Sequence, residues 1–177
     1  MRPLIMLFAL LAGLSSSGAA LAGRVTAATT AAAAVPSCTA PEYHQFDFWA
    51  GRWDVYDPKG NLVAHSLIEP VYGCGIRENW MPLGKTGGGS LSIYVPEDKG
   101  WEQFWIDSSG TRAIFHGGWN GSAMVITGNW GGPLVRMTYS KNADGSVRQF
   151  GEQSTDGGIK WAPSFDFSYR PSGSSTH

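Results

Sequence analysis

The sequence predicts an all-β protein: an antiparallel up-and-down barrel of roughly 8–10 short strands. Three observations predict it. Gly supplies 24 of 177 residues, about twice its usual ~7% share, which points to many turns. Trp 8, Phe 8 and Tyr 6 favour strands and carry large apolar area. Turn residues punctuate the chain every 8–12 residues or so, and no mature stretch holds helical periodicity. The connections are too short for parallel crossovers, so the pairing is antiparallel. A long meander cannot stay flat under native twist, and closure removes its edges. A two-sheet sandwich is the alternative.

The first 22 residues read as an export signal. Arg2 precedes an apolar run over residues 4–14, and Ala20-Leu21-Ala22 supplies a small-residue cleavage site. The run is too short for the ~20 residues that span a bilayer. No Cys follows it closely, so lipid anchoring is not expected. Residues 23–37 are Ala/Thr-rich with one charge and read as a flexible leader. The barrel domain is assigned to 38–171 and a disordered tail to 172–177. The destination is the periplasm or the exterior.

The strands follow in order. Residues 41–49 carry Pro41, Glu42 and aromatics and suggest one short helical turn before the first strand, which ends at Tyr56 and the turn Asp57-Pro58-Lys59-Gly60. Runs over 62–69 and 71–81 are separated by Pro70. Runs over 90–95, 101–107 and 111–116 are separated by Pro96–Gly100, Ser108-Ser109-Gly110 and Gly117-Gly118. Runs over 122–126, 134–140, 147–153 and 160–169 complete the set. Alternation is clear at Leu91, Ile93 and Val95, and at Phe165, Phe167 and Tyr169.

Cys38 and Cys74 are the two cysteines. Export implies an oxidising compartment, so a bridge is expected, worth on the order of 3–4 kcal/mol for a loop of this length. Two buried thiols are the alternative. A metal site is not expected: there is no Cys-x-x-Cys, and His44, His65, His116 and His177 are scattered.

Phe46-Asp47-Phe48-Trp49-x-Gly51-x-Trp53 opens the first strand. Gly73-Cys74, Glu78-Asn79-Trp80, Trp105-Ile106-Asp107-Ser108-Ser109-Gly110 and Glu152-Gln153-Ser154-Thr155-Asp156-Gly157-Gly158 with Trp161 follow in order. This set resembles a family of small exported bacterial proteins with a lipocalin-like, or calycin-like, barrel and no assigned activity. The resemblance covers about residues 38–171. It implies a barrel whose Trp53 closes one end, supports the Cys38–Cys74 bridge, and brings no reaction with it. Nitrobindin-type haem barrels share the Gly-x-Trp opening, but their axial His lies where this chain has Tyr169 and Arg170, so no cofactor is expected.

Ser154-x-Asp156-x-Gly158-x-x-Trp161 looks like the Asp-box of sialidase propellers. A propeller repeats it, and this chain has one copy. It reads as a turn in which Asp156 bonds local backbone and Trp161 packs over it. No nucleophile elbow, zinc-protease helix or phosphate loop occurs, and Gly87-Gly88-Gly89 reads as a loop at a barrel rim.

The candidate site residues are polar groups and tryptophans on apolar strands: Trp53, Glu78, Trp80, Trp105, His116 and Arg136. Glu78 alternates with Ile76 and Trp80, and Gln103 lies between Trp101 and Trp105. If these faces point inward, they make apolar walls with a few orienting polar groups, the composition of a ligand cavity. The alternative is an internal pair such as Glu78–Arg136 that only fixes packing, or an outer-face pair. The first functional reading is therefore a barrel that binds a small, mostly apolar or aromatic molecule. The second is a structural or interaction module of the envelope. The third is a small periplasmic enzyme using His116 or Glu78 as acid/base, which requires those groups in one pocket. A net charge of −1 gives no footprint for nucleic acid.

Overall fold

A computed structural model of the chain describes residues 38–173. The expected signal, the leader and residues 174–177 of the tail lie outside the described residues. The described chain begins with two short 3-10 turns, Pro41–His44 and Asp47–Trp49. Ten strands follow: β1 Gly51–Tyr56, β2 Leu62–Val71, β3 Gly75–Pro82, β4 Gly88–Val95, β5 Gly100–Asp107, β6 Arg112–Trp119, β7 Met124–Asn129, β8 Leu134–Lys141, β9 Val147–Ser154 and β10 Ala162–Pro171. Each pairs antiparallel with its sequence neighbours, and β1 pairs with β10 to close the barrel. The architecture is the meander that turn spacing and alternation predict, and the sandwich alternative does not form.

Two strands run further than their punctuation suggests. Pro70 lies inside β2, opposite Ile76. The β1 ladder ends at the Gly51–Ile68 pair, so Pro70 has only one neighbouring strand and its missing N–H breaks no two-sided ladder. Gly117 and Gly118 lie inside β6, opposite Ile126 and Val125. A Cβ at Gly117 would stand 2.0 Å from the Val125 carbonyl oxygen, so glycine there marks close backbone approach, not a turn. The turn comes at Asn120, whose side-chain oxygen accepts the Ser122 and Ala123 N–H groups.

Barrel closure sorts the connections into two ends. The lower end carries the two 3-10 turns and the β2–β3, β4–β5, β6–β7 and β8–β9 turns. The upper end carries the β1–β2, β3–β4, β5–β6, β7–β8 and β9–β10 connections. Cys38 and Cys74 are bonded across a sequence separation of 36, which ties the incoming segment to the β2–β3 turn at the lower end.

The incoming segment also fills that end. Phe46 and Trp49 are fully buried and stack at 5.1 Å. Phe46 packs edge-on against Trp101 and Tyr139, at 5.6 and 5.0 Å. Trp49 meets Tyr139 at 4.7 Å and Tyr169 at 5.7 Å. Trp53 donates its indole N–H to the Trp49 carbonyl at 2.9 Å, and Trp101 donates to Gln45 Oε1 at 3.2 Å. Each ring removes enough apolar area from water to stabilise the fold by about 1.5–3 kcal/mol. The Trp49 Nε1 is buried without a partner, so this packing also offsets one desolvated donor.

Among the described residues no helix is long and apolar enough to cross a membrane.

Candidate functional site

Inward-facing positions alternate along every strand, as the pleat requires. Ser66 on β2, Glu78 and Trp80 on β3, Ser90 and Ser92 on β4, and Gln103 and Trp105 on β5 all point into the barrel. Met137 and Tyr139 on β8, Gln149 on β9, and Phe165, Phe167 and Tyr169 on β10 face them. Across the upper half the two sets approach at Trp80 and Phe167, 5.6 Å apart, without filling the interior. Between them lies a cavity of about 1240 Å³ that opens at the upper end. Leu83 to Gly87 and Asp107 to Ser109 border its mouth. Gly87 lies at this rim as expected, while Gly88 and Gly89 already belong to β4.

The walls are aromatic. Trp80 lies 5.6 Å from Phe167, and Phe165 stacks on Phe167 at 5.2 Å. Trp130, at the start of the β7–β8 connection, meets Trp105, Phe115 and Phe165 edge-on. Gly151 makes room for this arrangement: a Cβ there would lie 2.3 Å from the Phe165 ring. Phe165 therefore lies flat against bare backbone.

The floor is polar and satisfied. Tyr169 donates to Gln149 Oε1 at 2.7 Å, and Gln149 Nε2 donates to the Tyr139 oxygen at 2.9 Å. Gln103 donates to the Ser92 hydroxyl at 3.0 Å. Glu78 accepts from Ser66 at 3.3 Å and from Ser90 at 3.1 Å. Burial pushes the Glu78 carboxyl up to about 7, against the opposing pull of the two serine hydroxyls. Burial and the Glu78 charge together hold the Tyr139 and Tyr169 phenols well above their ordinary value. Of the residues lining the cavity, only Glu78, Lys85 and Asp107 are acids or bases other than tyrosine, and the last two border the mouth.

Of the six residues singled out from sequence, Glu78, Trp80 and Trp105 line this cavity. Trp53 lies beneath it, 5% exposed and edge-on to Tyr169, in the packed lower end. His116 and Arg136 face outward and do not belong to the cavity. On β6 the inward phase is Ala113 and Phe115, which puts His116 outside beside Glu102 at 3.6 Å. On β8 it is Val135, Met137 and Tyr139, which puts Arg136 outside. There Arg136 donates to Glu152 at 2.9 Å and covers the Trp161 ring at 4.2 Å. An internal Glu78–Arg136 pair therefore does not form. His116 and Glu78 lie on opposite faces of the wall, so an acid/base pair in one pocket does not form either.

Tyr139, Gln149 and Trp130 escaped the sequence reading. For the first two the signal was present as strand phase, since Tyr139 alternates with Met137 and Gln149 with Val147; Trp130 lies in the β7–β8 connection and has no such phase. The Ser154–Asp156 turn is as expected, with Asp156 accepting the Ile159 and Lys160 N–H groups and Trp161 donating to the Gly158 carbonyl.

Outside the barrel, Leu91, Phe104 and Ile114 form an exposed cross-strand row on β4, β5 and β6. Among the described residues no cluster of His, Cys, Asp and Glu could hold a metal ion. No family model and no curated protein matches the chain.

Proposed function

We propose that the chain is exported and that its barrel binds a small, mostly apolar or aromatic molecule in the upper cavity. One observation carries this reading: an open space of about 1240 Å³ walled by Trp80, Trp105, Trp130, Phe165 and Phe167. Sites for small ligands usually enclose about 300–1,000 Å³ and combine apolar walls with a few polar groups. Barrel diameter grows with strand number, and about eight strands already suffice for an interior filled by side chains. Ten strands leave space that the side chains here do not fill. Wet aromatic wall is unfavourable by about 25 cal/mol per Å², which a ligand recovers on binding.

The oxidised Cys38–Cys74 pair supports a location outside the reducing cytosol. The closed barrel and its Phe-Asp-Phe-Trp-x-Gly-x-Trp opening support kinship with exported lipocalin-like proteins. Two measurements test the proposal. Titration with a panel of hydrophobic fluorophores and aromatic alcohols should quench tryptophan emission saturably, and substituting Trp105 by Ala should weaken it. A flat titration across the panel would sink the binding reading. Cell fractionation should place the protein outside the cytoplasm with an N-terminus at Gly23; a protein retained in the cytoplasm with Met1 intact would sink the export reading.

A further inference from the structure

The cavity has one charged group in its depth. Glu78 lies on β3 below Trp80, with Ser66 and Ser90 as its hydrogen-bond donors. The groups that act on it or feel its charge are neutral: the two serines and the phenols of Tyr139 and Tyr169. Among the described residues no Lys or Arg acts on Glu78. Arg136 pairs with Glu152, Arg148 with Asp166 and Arg77 with Glu69, all on the outer wall. Lys85 borders the mouth and is not among the groups that act on Glu78. A carboxylate in a low-dielectric pocket without a counter-charge is costly, and among the residues lining the depth of the cavity no cation relieves it, so burial favours its protonated form.

The walls above Glu78 complement a cation as well as an apolar body. Aromatic faces attract ammonium groups through their ring quadrupoles, most strongly when water is excluded. Trp80, Phe167 and Tyr169 stand together beside the acid, with Trp80 at 5.6 and 6.2 Å from the other two rings. From Glu78 to Pro82 at the mouth is four residues of strand, about 13 Å. That length fits one or two fused rings carrying a short aminoalkyl arm.

We infer that the ligand is a hydrophobic or aromatic amine, bound with its single ammonium group against Glu78 and its ring body between the cavity tryptophans. This rests on the proposed binding of a small molecule in the cavity and names its chemical class. A neutral molecule of the same shape leaves the acid unpaired, and a carboxylate meets like charge at the floor. Burial sets Glu78 near 7 in the empty protein. An amine bound at neutral pH therefore displaces a proton from part of the population, whereas a neutral ligand displaces none.

The test compares naphthylmethylamine, naphthylmethanol and naphthoate by calorimetric titration of the full-length protein. The three probes share the ring body and differ in charge. At pH 8 the amine should bind at least about tenfold tighter than the alcohol, and the naphthoate weakest. Amine affinity should fall about tenfold for each pH unit below 7, while the alcohol stays flat. In Glu78→Gln the amine should lose its advantage while the alcohol binds as before, which also reports an intact cavity. Equal binding of amine and alcohol by the native protein, or a flat amine profile from pH 8 to pH 5, overturns the amine assignment and leaves the cavity reading standing. Binding of no probe removes both. If Glu78→Gln does not fold, the pH profiles of the native protein decide alone.

Discussion

The two halves of the barrel use the same residue type for opposite ends. In the lower half Trp49, Trp53 and Trp101 are at most 5% exposed and pack with Phe46, Tyr139 and Tyr169 into a plug. In the upper half Trp80, Trp105 and Trp130 are only partly buried and border empty space. The difference lies in what each half receives from outside the sheet. The lower half receives the incoming segment, whose two 3-10 turns drive Phe46 and Trp49 between the strands, and a disulfide holds that segment down. The upper half receives only turns, and Gly151 lets Phe165 fold back against the wall. A barrel of this girth is solid only where extra chain fills it.

Substitutions that exchange the behaviours of the halves test this contrast. Trp49→Ala should cost about 3–5 kcal/mol, because it opens a cavity in a close-packed plug. Trp105→Ala, at a wall that already borders space, should cost far less and act on ligand affinity; denaturant unfolding of both variants checks this. Equal losses would remove the distinction between plug and cavity. Reducing Cys38–Cys74 should cost about 3–4 kcal/mol by loop-closure entropy, again a lower-end effect. Unfolding midpoints with and without reductant measure it.

The next effect belongs to the boundary between the halves. Glu78 titrates near 7 folded against an ordinary 4.5, so between these values the folded state holds a proton that the unfolded chain has released. This acid's contribution to stability is therefore greatest below about 4.5, falls as pH rises to about 7, and is level beyond. Its span is roughly 3 kcal/mol. Glu78→Gln should abolish that slope and unfold at higher denaturant than the native protein at pH 8. Asp57, Asp107, Asp144 and Asp156 are held below the usual carboxylate range by local hydrogen bonds. Their stabilisation is lost as pH falls below about 3.8, outside the Glu78 window. The smallest effect should come from outside both halves. Arg136→Ala removes a partly exposed ion pair and a stacked guanidinium, about 1 kcal/mol or less, and should leave probe binding unchanged.

Much of this was readable along the chain. Val55 between Asp54 and Tyr56, or Phe165 to Tyr169 in alternation, announce strands with two unlike faces. The Asp57 and Asp156 turns announce where strands reverse. Glu78 between Ile76 and Trp80 already shared a face with apolar neighbours, and that face proved to be the interior. His116 and Arg136 were equally polar on equally apolar strands and proved to be exterior. Ile114, beside His116, is itself 38% exposed, so an apolar neighbour does not identify the inside.

The limit is physical. A period of two tells which side chains travel together, since successive Cβ atoms alternate across the sheet. It does not tell which of two mixed faces turns inward. Local spacing and turn chemistry are enough to specify an antiparallel all-β chain and most of its reversals, although Pro70 and Gly117-Gly118 lie inside strands. Inward phase is settled only when β10 closes onto β1 and every strand must share one interior. That interior is then divided by the 3-10 turns packed into its lower end, so Trp49 becomes plug and Trp105 becomes wall through contacts far apart in sequence.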